Sequence, residues 1–234
     1  MKTEKLPISV IVLSKQQSTE LDKCLSSAEF SQEVIVEIDP NITDFSQARN
    51  KALQKATQPW VFFLDSDEII SQESISNIRK IIEEDAIDGV LVRRRDIFLG
   101  KELHWGEVGS VWILRMFKRK KGKFVRPVHE YATVKGIVKK ENILLLHRAH
   151  PSTSQFLKDI SSYAQIEARL RHQQAHGQNQ KLRILFEMMF YPIGKFLLNF
   201  ILKLGILDGW RGFIYAFFMS FHSLLVRVYV YEYF

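Results

Sequence analysis

Asp65, Asp67 and Glu68 follow directly on the apolar run 60–64. Carboxylates spaced this way hold a hard divalent cation, Mg²⁺ or Mn²⁺, which in turn grips the phosphates of a substrate. The run is short, aromatic and uncharged, which suits a strand buried on both faces of a parallel sheet. Open α/β sheets bind their ligands at the carboxyl ends of such strands. The same carboxylates also suit a helix start, where they complement the positive end of the helix dipole. Ser71 argues against that use, because it offers its own cap to a helix over 72–85.

The elements that must position these groups alternate in type. Strands are predicted at 8–13, 34–38 and 60–64, and helices at 19–28 and 45–56. This βαβαβ order implies parallel strands with right-handed crossovers and a nucleotide-binding type of half-domain. Beyond residue 89 the texture becomes short alternating strands rich in glycine. Gly122 reads as the turn of a hairpin between 111–117 and 123–128. From 152 onward the pattern is helical: Ser152 to Ser154 cap a helix with Phe156, Ile160, Tyr163 and Ala164 on one face. A second helix over 181–204 carries Pro192, which should kink it. The organisation expected is a sheet domain at 1–150 and a helical extension at 151–234.

A chain of 234 residues that is 46% hydrophobic can bury one α/β core with an appendage. Its single cysteine, Cys24, excludes an internal disulfide and points to a reducing compartment. The apolar stretch 8–13 is too short for a secretory signal core, so export is not expected. Charge is unevenly spread: residues 93–140 hold 14 basic and 4 acidic side chains, whereas 1–92 hold 9 and 16. Arg93-Arg94-Arg95 and the lysines between 118 and 123 dominate the basic part, which suits phosphates, a lipid surface or nucleic acid. A solvated basic hairpin is the plainer alternative. No aromatic-glycine RNA motif, helix-turn-helix or zinc module accompanies it, so nucleic acid is not the expected partner.

The end of the chain is its most apolar part. The uncharged stretch 212–226 is 15 residues long, includes His222 and lies between Arg211 and Arg227. That is short of the roughly 20 residues a spanning helix needs, so the expectation is an interfacial helix with basic residues at headgroup level. A helical hairpin covering the main domain, or a dimer interface, would account for the same residues.

Taken in order, Ile8-Ser9-Val10-Ile11-Val12-Leu13-Ser14, Cys24-Leu25, Ala48-Arg49-Asn50-Lys51-Ala52-Leu53 and Trp60 through Glu68 resemble family 2 glycosyltransferases of the GT-A fold. Arg126-Pro127-Val128-His129-Glu130, Leu144-Leu145-Leu146-His147 and residues 204–213 resemble the bacterial subgroup related to lipopolysaccharide-core glucosyltransferases. The resemblance implies a GT-A-type, Rossmann-like, mostly parallel sheet flanked by helices. It also implies transfer of a sugar from a nucleoside diphosphate donor to a saccharide or lipid-linked acceptor, with inversion, during assembly of a cell-surface glycan. The place implied is the cytoplasmic face of a membrane, with the chain held there peripherally.

Two tasks follow from that chemistry. The departing diphosphate needs a divalent cation, with Asp67 as direct ligand and Asp65 reaching the ribose or a metal-bound water. Arg49 and Arg126 are candidates for the donor phosphates, and Ser14 and Asp39 for the nucleotide. The acceptor hydroxyl needs a base. Glu130 and Glu107 are the candidates, and His129 would orient Glu130 or join the metal. His104, His147 and His150 lack helical metal-ligand spacing and read as structural. The sequence departs from the family after the second strand. Glu37 to Asp44 runs almost directly into the Arg49 helix where relatives carry a further β-α segment, which implies a more open nucleotide pocket. A non-catalytic, membrane-associated binding protein is the reading from another class, since it would explain the apolar tail and the shortened pocket together.

Overall fold

Nine residues, Leu6–Ser14, form β1, whose side chains are almost all buried. The computed structural model of the protein describes residues 4–42, 44–109, 111–126, 130–150, 152–174 and 180–234. After β1 come α1 (Thr19–Ser27), β2 (Ser31–Ile38), α2 (Phe45–Lys55), β3 (Trp60–Asp65) and β4 (Glu68–Ile70). Then follow α3 (Ser74–Glu84), β5 (Gly89–Phe98), β6 (Lys101–Glu102), β7 (Val111–Lys118), β8 (Gly122–Val125), β9 (Tyr131–Val134) and β10 (Val138–His150). Three helices end the chain: α4 (Thr153–Gln174), α5 (Gln180–Leu197) and α6 (Gly209–Glu232). A π-helical turn, Leu198–Leu202, and a 3-10 turn, Gly205–Asp208, link the last two.

The chain divides into two compact units: one of residues up to Arg95 with Val111–Arg148, the other of Asp96–Ser110 with Ala149–Phe234. Residues 96–110 were expected in the first domain. They group with the helices because Phe98, Leu103 and Val108 share a core with Phe156, Ile160 and Tyr215.

In the first unit β1 lies between β2 and β3, parallel to both, as the βαβαβ order requires. Beyond β3 the sheet continues β7, β5, β10, β4. There the pairings β3 with β7, β7 with β5 and β10 with β4 are antiparallel, so the sheet is mixed. β3 shows why its sequence is apolar without a break. Trp60, Phe62 and Leu64 enter one core with Leu21 and Cys24 of α1 and Ile78 of α3. Val61 and Phe63 enter the other with Ala52 of α2 and Phe117 and Phe124. Each of these fully buried large side chains contributes roughly 1.5–3 kcal/mol relative to exposure. Local caps agree with this placement: Ser18 Oγ accepts from Leu21 N at the start of α1, and Asp44 Oδ1 from Gln47 N at the start of α2.

Two expectations about this unit are corrected. The helix expected over 72–85 is α3, Ser74–Glu84, but Ser71 does not cap it: Glu73 stands at its N-cap with no side-chain hydrogen bond, and Glu68–Ile70 before it form β4, paired with β10. The hairpin around Gly122 is not β7 with β8. Both edges of β7 are taken by β3 and β5, so β8 pairs with β9 instead. Gly122 is still required, because a Cβ there would run into the Phe117 ring.

In the second unit Phe156, Ile160 and Ala164 of α4 are buried as expected, but Tyr163 is 63% exposed and lies off that face. Ser152 Oγ accepts from Gln155 N and caps α4. The tail is longer than its uncharged stretch: Gln180–Leu202 and Gly205–Glu232 are each long and apolar enough to cross a membrane by length and composition. The 15-residue count underestimated them because the charges Arg211 and Arg227 sit inside α6 rather than at its ends.

Asp88 pins the corner between α3 and β5. Its Oδ2 accepts from Ile137 N at 2.9 Å, and its Oδ1 faces Lys121 at 3.0 Å and Lys118 at 3.3 Å. The Ile137 N–H and then the two lysines hold its carboxyl down to about 2. An unfolded Asp takes up its proton near about 4, so between those values the unfolded chain binds more protons and stability falls as the pH drops. Asp88→Asn is expected to flatten the loss of stability between about pH 4 and pH 2 relative to the native chain, read by urea unfolding across that range.

Candidate active site

Asp65 is the last residue of β3, and its carboxylate meets two arginines. Arg49 Nη2 donates to Oδ1 at 2.6 Å, and Arg115 Nη2 donates to Oδ2. Each arginine also reaches a second acid. Arg115 Nη2 lies 3.1 Å from Glu68 Oε1, and Arg49 Nη2 lies 3.3 Å from Glu130 Oε1. Glu68, Arg115, Asp65, Arg49 and Glu130 thus form an alternating chain of charges. Its members come from β4, β7, β3, α2 and the residue before β9.

Each segment delivers its member for a local reason. Arg49 is 2% exposed on the buried face of α2, where its guanidinium lies 5.1 Å from the Phe124 ring centroid. Asn50, beside it, brackets Phe124: its Nδ2 donates to the Phe124 carbonyl and its Oδ1 accepts from Phe124 N, both at 2.9 Å. Arg115 is the extra residue of a β-bulge. Val90 pairs with Met116 but Leu91 pairs with Leu114, so β7 carries one residue more than β5 at that point. A bulge re-aims a side chain relative to the regular pleat. Glu68 is fully buried, its Oε2 accepting from Asp65 N at 3.0 Å.

The electrostatics separate the two neighbouring acids. Burial alone would raise the pKa of Asp65, but Arg115 and Arg49 outweigh it and hold the carboxyl well below the usual range. Glu68 goes the other way: burial and the Asp65 charge raise it in spite of Arg115. Asp65 stays ionised at neutral pH, and Glu68 is the first of the two to take a proton on acidification. Cys24 lies beneath, its Sγ 3.5 Å from the Asp65 carbonyl. Burial and the nearby Glu68, Asp65 and Asp67 charges push its thiol up, which keeps it protonated and unreactive.

Asp67 occupies the turn between β3 and β4 and, among the described residues, is the acid of the Asp65, Asp67, Glu68 cluster whose carboxylate pairs with a histidine rather than an arginine side chain. Its side chain is 35% exposed, and its Oδ2 lies 3.5 Å from His147 Nε2. His147 comes from β10, where it pairs in register with Glu68. Arg148 N donates to the Asp67 carbonyl at 2.9 Å and fixes the turn. Among the described residues, no three His, Cys, Asp or Glu side chains form a ready-made metal cage. Asp65, with both oxygens engaged by arginines, does not suit direct coordination, whereas Asp67 with His147 does.

The other expected site residues are placed as follows. Ser14, at the end of β1, donates its Oγ to the Gln16 carbonyl at 2.6 Å. Asp39, after β2, donates its N–H to the Ser14 carbonyl at 3.0 Å and accepts from Asn41 N at 2.8 Å. Arg126 has a positive φ of 70° and lies 5.5 Å from the Tyr131 ring centroid. Glu107 belongs to the second unit, where it pairs with Lys195 and accepts from Asn199 Nδ2 at 3.3 Å. His129 lies outside the described residues, as does the side chain of His150. Sequence reasoning missed Arg115, read His147 as structural, and placed Glu68 in the carboxylate cluster without a role. The available signal was a lone arginine within the apolar stretch 111–117.

The model of the family "Glycosyl transferase family 2" matches residues 9–141, more than half of the chain. The chain is 25% identical over 256 residues to "Lipopolysaccharide core biosynthesis glycosyltransferase LpsC" of Rhizobium meliloti (strain 1021), covering 91% of this chain and 90% of that protein. It is 39% identical over 51 residues to "SPbeta prophage-derived glycosyltransferase SunS" of Bacillus subtilis (strain 168), covering 20% of this chain and 12% of that one. Among solved structures, S. aureus TarS 1-349 in complex with UDP-GlcNAc aligns at a TM-score of 0.42 and 13% identity, over 95% of this chain and 83% of that one. The chain spans half the length of the longer S. aureus TarS structure, at a TM-score of 0.42 and 14% identity.

Arg115→Met removes the cation between Asp65 and Glu68. Breaking a buried pair by deleting one partner costs about 3–5 kcal/mol, so a loss of that order is expected in urea unfolding. Adding Glu68→Gln should recover part of it, because the uncompensated buried charge is then gone.

Proposed function

The chain belongs to glycosyl transferase family 2, and from that premise we propose that it transfers a sugar from a nucleoside diphosphate donor to a hydroxyl of a saccharide or lipid-linked acceptor. The observation that carries this reading is the contrast at the end of β3. Asp65 is held by two arginines, whereas Asp67, two residues on, is open beside His147. Asp67 would hold a Mg²⁺ or Mn²⁺ together with the donor phosphates, with His147 beside it as a further ligand for Mn²⁺ or as the partner that orients Asp67. Such a cation supplies charge neutralisation of the departing diphosphate.

The chain's own residues do the rest. Asp65, kept ionised by Arg115 and Arg49, is positioned to accept a hydrogen bond from a donor hydroxyl at its exposed edge, 34% of its side chain being open. Ser14 and Asp39 terminate neighbouring parallel strands on either side of one hydrogen bond, where the nucleotide would lie at the carboxyl edge of the sheet. Glu130 is our candidate base. Arg49 holds one of its oxygens, and 23% of its side chain remains open to an acceptor. Inversion requires such a base to act on the face of the sugar opposite the departing diphosphate. Glu107, tied to Lys195 and Asn199, is better explained as a structural acid.

The likeness to LpsC supports a role in building a cell-surface glycan. The apolar C-terminal helices support a site of action at a membrane surface.

The test is a panel of nucleoside diphosphate sugars, scored by thermal stabilisation and donor hydrolysis with and without Mn²⁺. At least one donor is expected to stabilise the protein only when the cation is present. Silence across the panel would sink the reading. Asp67→Asn should lower transfer by roughly 10²-fold or more with little change in melting temperature, because the residue sits in an exposed turn.

A further inference from the structure

Helix α5 is polarised the wrong way round for water. Its inward side carries ions: Glu187 lies 3.3 Å from the buried Arg227 of α6, Lys195 pairs with Glu107, and Asn199 just beyond the helix is 1% exposed. Its outward side is apolar. Leu182, Phe186, Met189, Phe190, Ile193 and Leu197 are between 43% and 63% exposed. Their spacing of three and four residues makes one continuous stripe along the helix. Soluble helices bury the apolar stripe and expose the ions, because exposed apolar area on this scale is unfavourable in water. An apolar solvent reverses the preference. Both ends of the stripe are basic, with Lys181 and Arg183 at one and Lys203 and Arg211 at the other. Trp210, 56% exposed under the Arg211 guanidinium, adds the aromatic residue common at headgroup level.

Resting on the membrane-surface reading above, we propose that this face of α5 is seated in one leaflet of a bilayer with anionic headgroups, with the helix lying in the plane of the interface. Two features exclude a crossing. First, α4 packs along α6, and although it exposes Leu157, Tyr163 and Ile166 it also exposes Lys158, Gln165, Arg169 and Gln173, a flank too polar to stand in hydrocarbon beside the α5–α6 pair. Second, the turn joining α5 to α6 is bound to irregular backbone. Gly106 N donates to the Lys203 carbonyl at 2.9 Å, and the Asp208 carboxylate accepts from His104 N and Trp105 N at 3.1 and 2.9 Å. Crossing would carry that loop through the hydrocarbon, where irregular backbone exposed to lipid does not occur. An in-plane helix meets neither obstacle: its stripe enters the acyl boundary and its basic ends remain among the phosphates.

The test uses the full chain and sealed vesicles of phosphatidylglycerol and phosphatidylethanolamine, with phosphatidylcholine vesicles as the neutral comparison. The chain is expected to float with the anionic vesicles, and Phe186→Glu with Phe190→Glu to lower the bound fraction at least tenfold while leaving the donor-induced thermal shift in place. Cys24 is fully buried, so Leu207→Cys supplies one reactive thiol at the turn. That thiol should escape an impermeant reagent trapped in the vesicle lumen, and a fluorophore on it should be quenched by lipids brominated close to the headgroup. Lumenal labelling would show a crossing and overturn the in-plane seating. Binding that survives both glutamates would overturn the assignment to α5 alone. A dimer that the glutamates dissolve while vesicle binding persists would give the face to a second copy. Failure of the native chain to bind any vesicle would overturn the membrane reading too, and the donor panel would then stand or fall by itself.

Discussion

Five charges that cannot be buried singly hold the candidate site of the first unit together. Glu68 is fully buried and Arg49 and Arg115 nearly so, and an unpaired ion at such depth would cost several kcal/mol. The alternating order from Glu68 through Arg115, Asp65 and Arg49 to Glu130 answers that cost, each arginine lying between two carboxylates. It also ties β3, β4, β7, α2 and the approach to β9 to one point. The consequence is a difference between Asp65 and Asp67: one is locked and ionised by two arginines, and the other lies beside His147, the contrast on which the proposed cation site rests.

The same electrostatic logic appears with opposite polarity in the second unit. There the ion pairs Glu187 with Arg227 and Lys195 with Glu107 sit on the inward side of α5, and the large apolar side chains face out. In the first unit β3 shows the ordinary arrangement, with Trp60, Phe62 and Leu64 in one core and Val61 and Phe63 in the other. The two units thus distribute polar and apolar groups differently, and that contrast is what the proposed membrane seating of α5 rests on.

Much of the first unit was legible because its signals are local. A strand buried on both faces must be apolar at successive positions, and 8–13 and 60–64 are; a capped helix needs an acceptor at its start, and Ser18 and Asp44 stand there. Errors arose where partners are distant in sequence. Gly122 marks a turn, but which strand β8 joins depends on β7 having both edges occupied. Asp67 and Glu68 suited a helix start until β10 supplied a strand to pair with β4. Tyr163 fits an apolar helix face by spacing, yet α4 buries the side that meets α6 and leaves this ring outside.

For the site, periodicity over a few residues determined the βαβαβ frame and the placing of carboxylates at a strand end, while the family was legible only as a resemblance carried by motifs such as Ala48-Arg49-Asn50 and Trp60 through Glu68 in their order. Tertiary structure decided which carboxylate is free. Asp65 and Asp67 are chemically identical and two residues apart, and no local rule separates them. They differ because a bulge in β7 aims Arg115 at one, α2 brings Arg49 to the same one, and β10 sets His147 beside the other. A carboxylate's character is set by the charges within a few ångströms of it, and those charges arrive from segments up to 80 residues away.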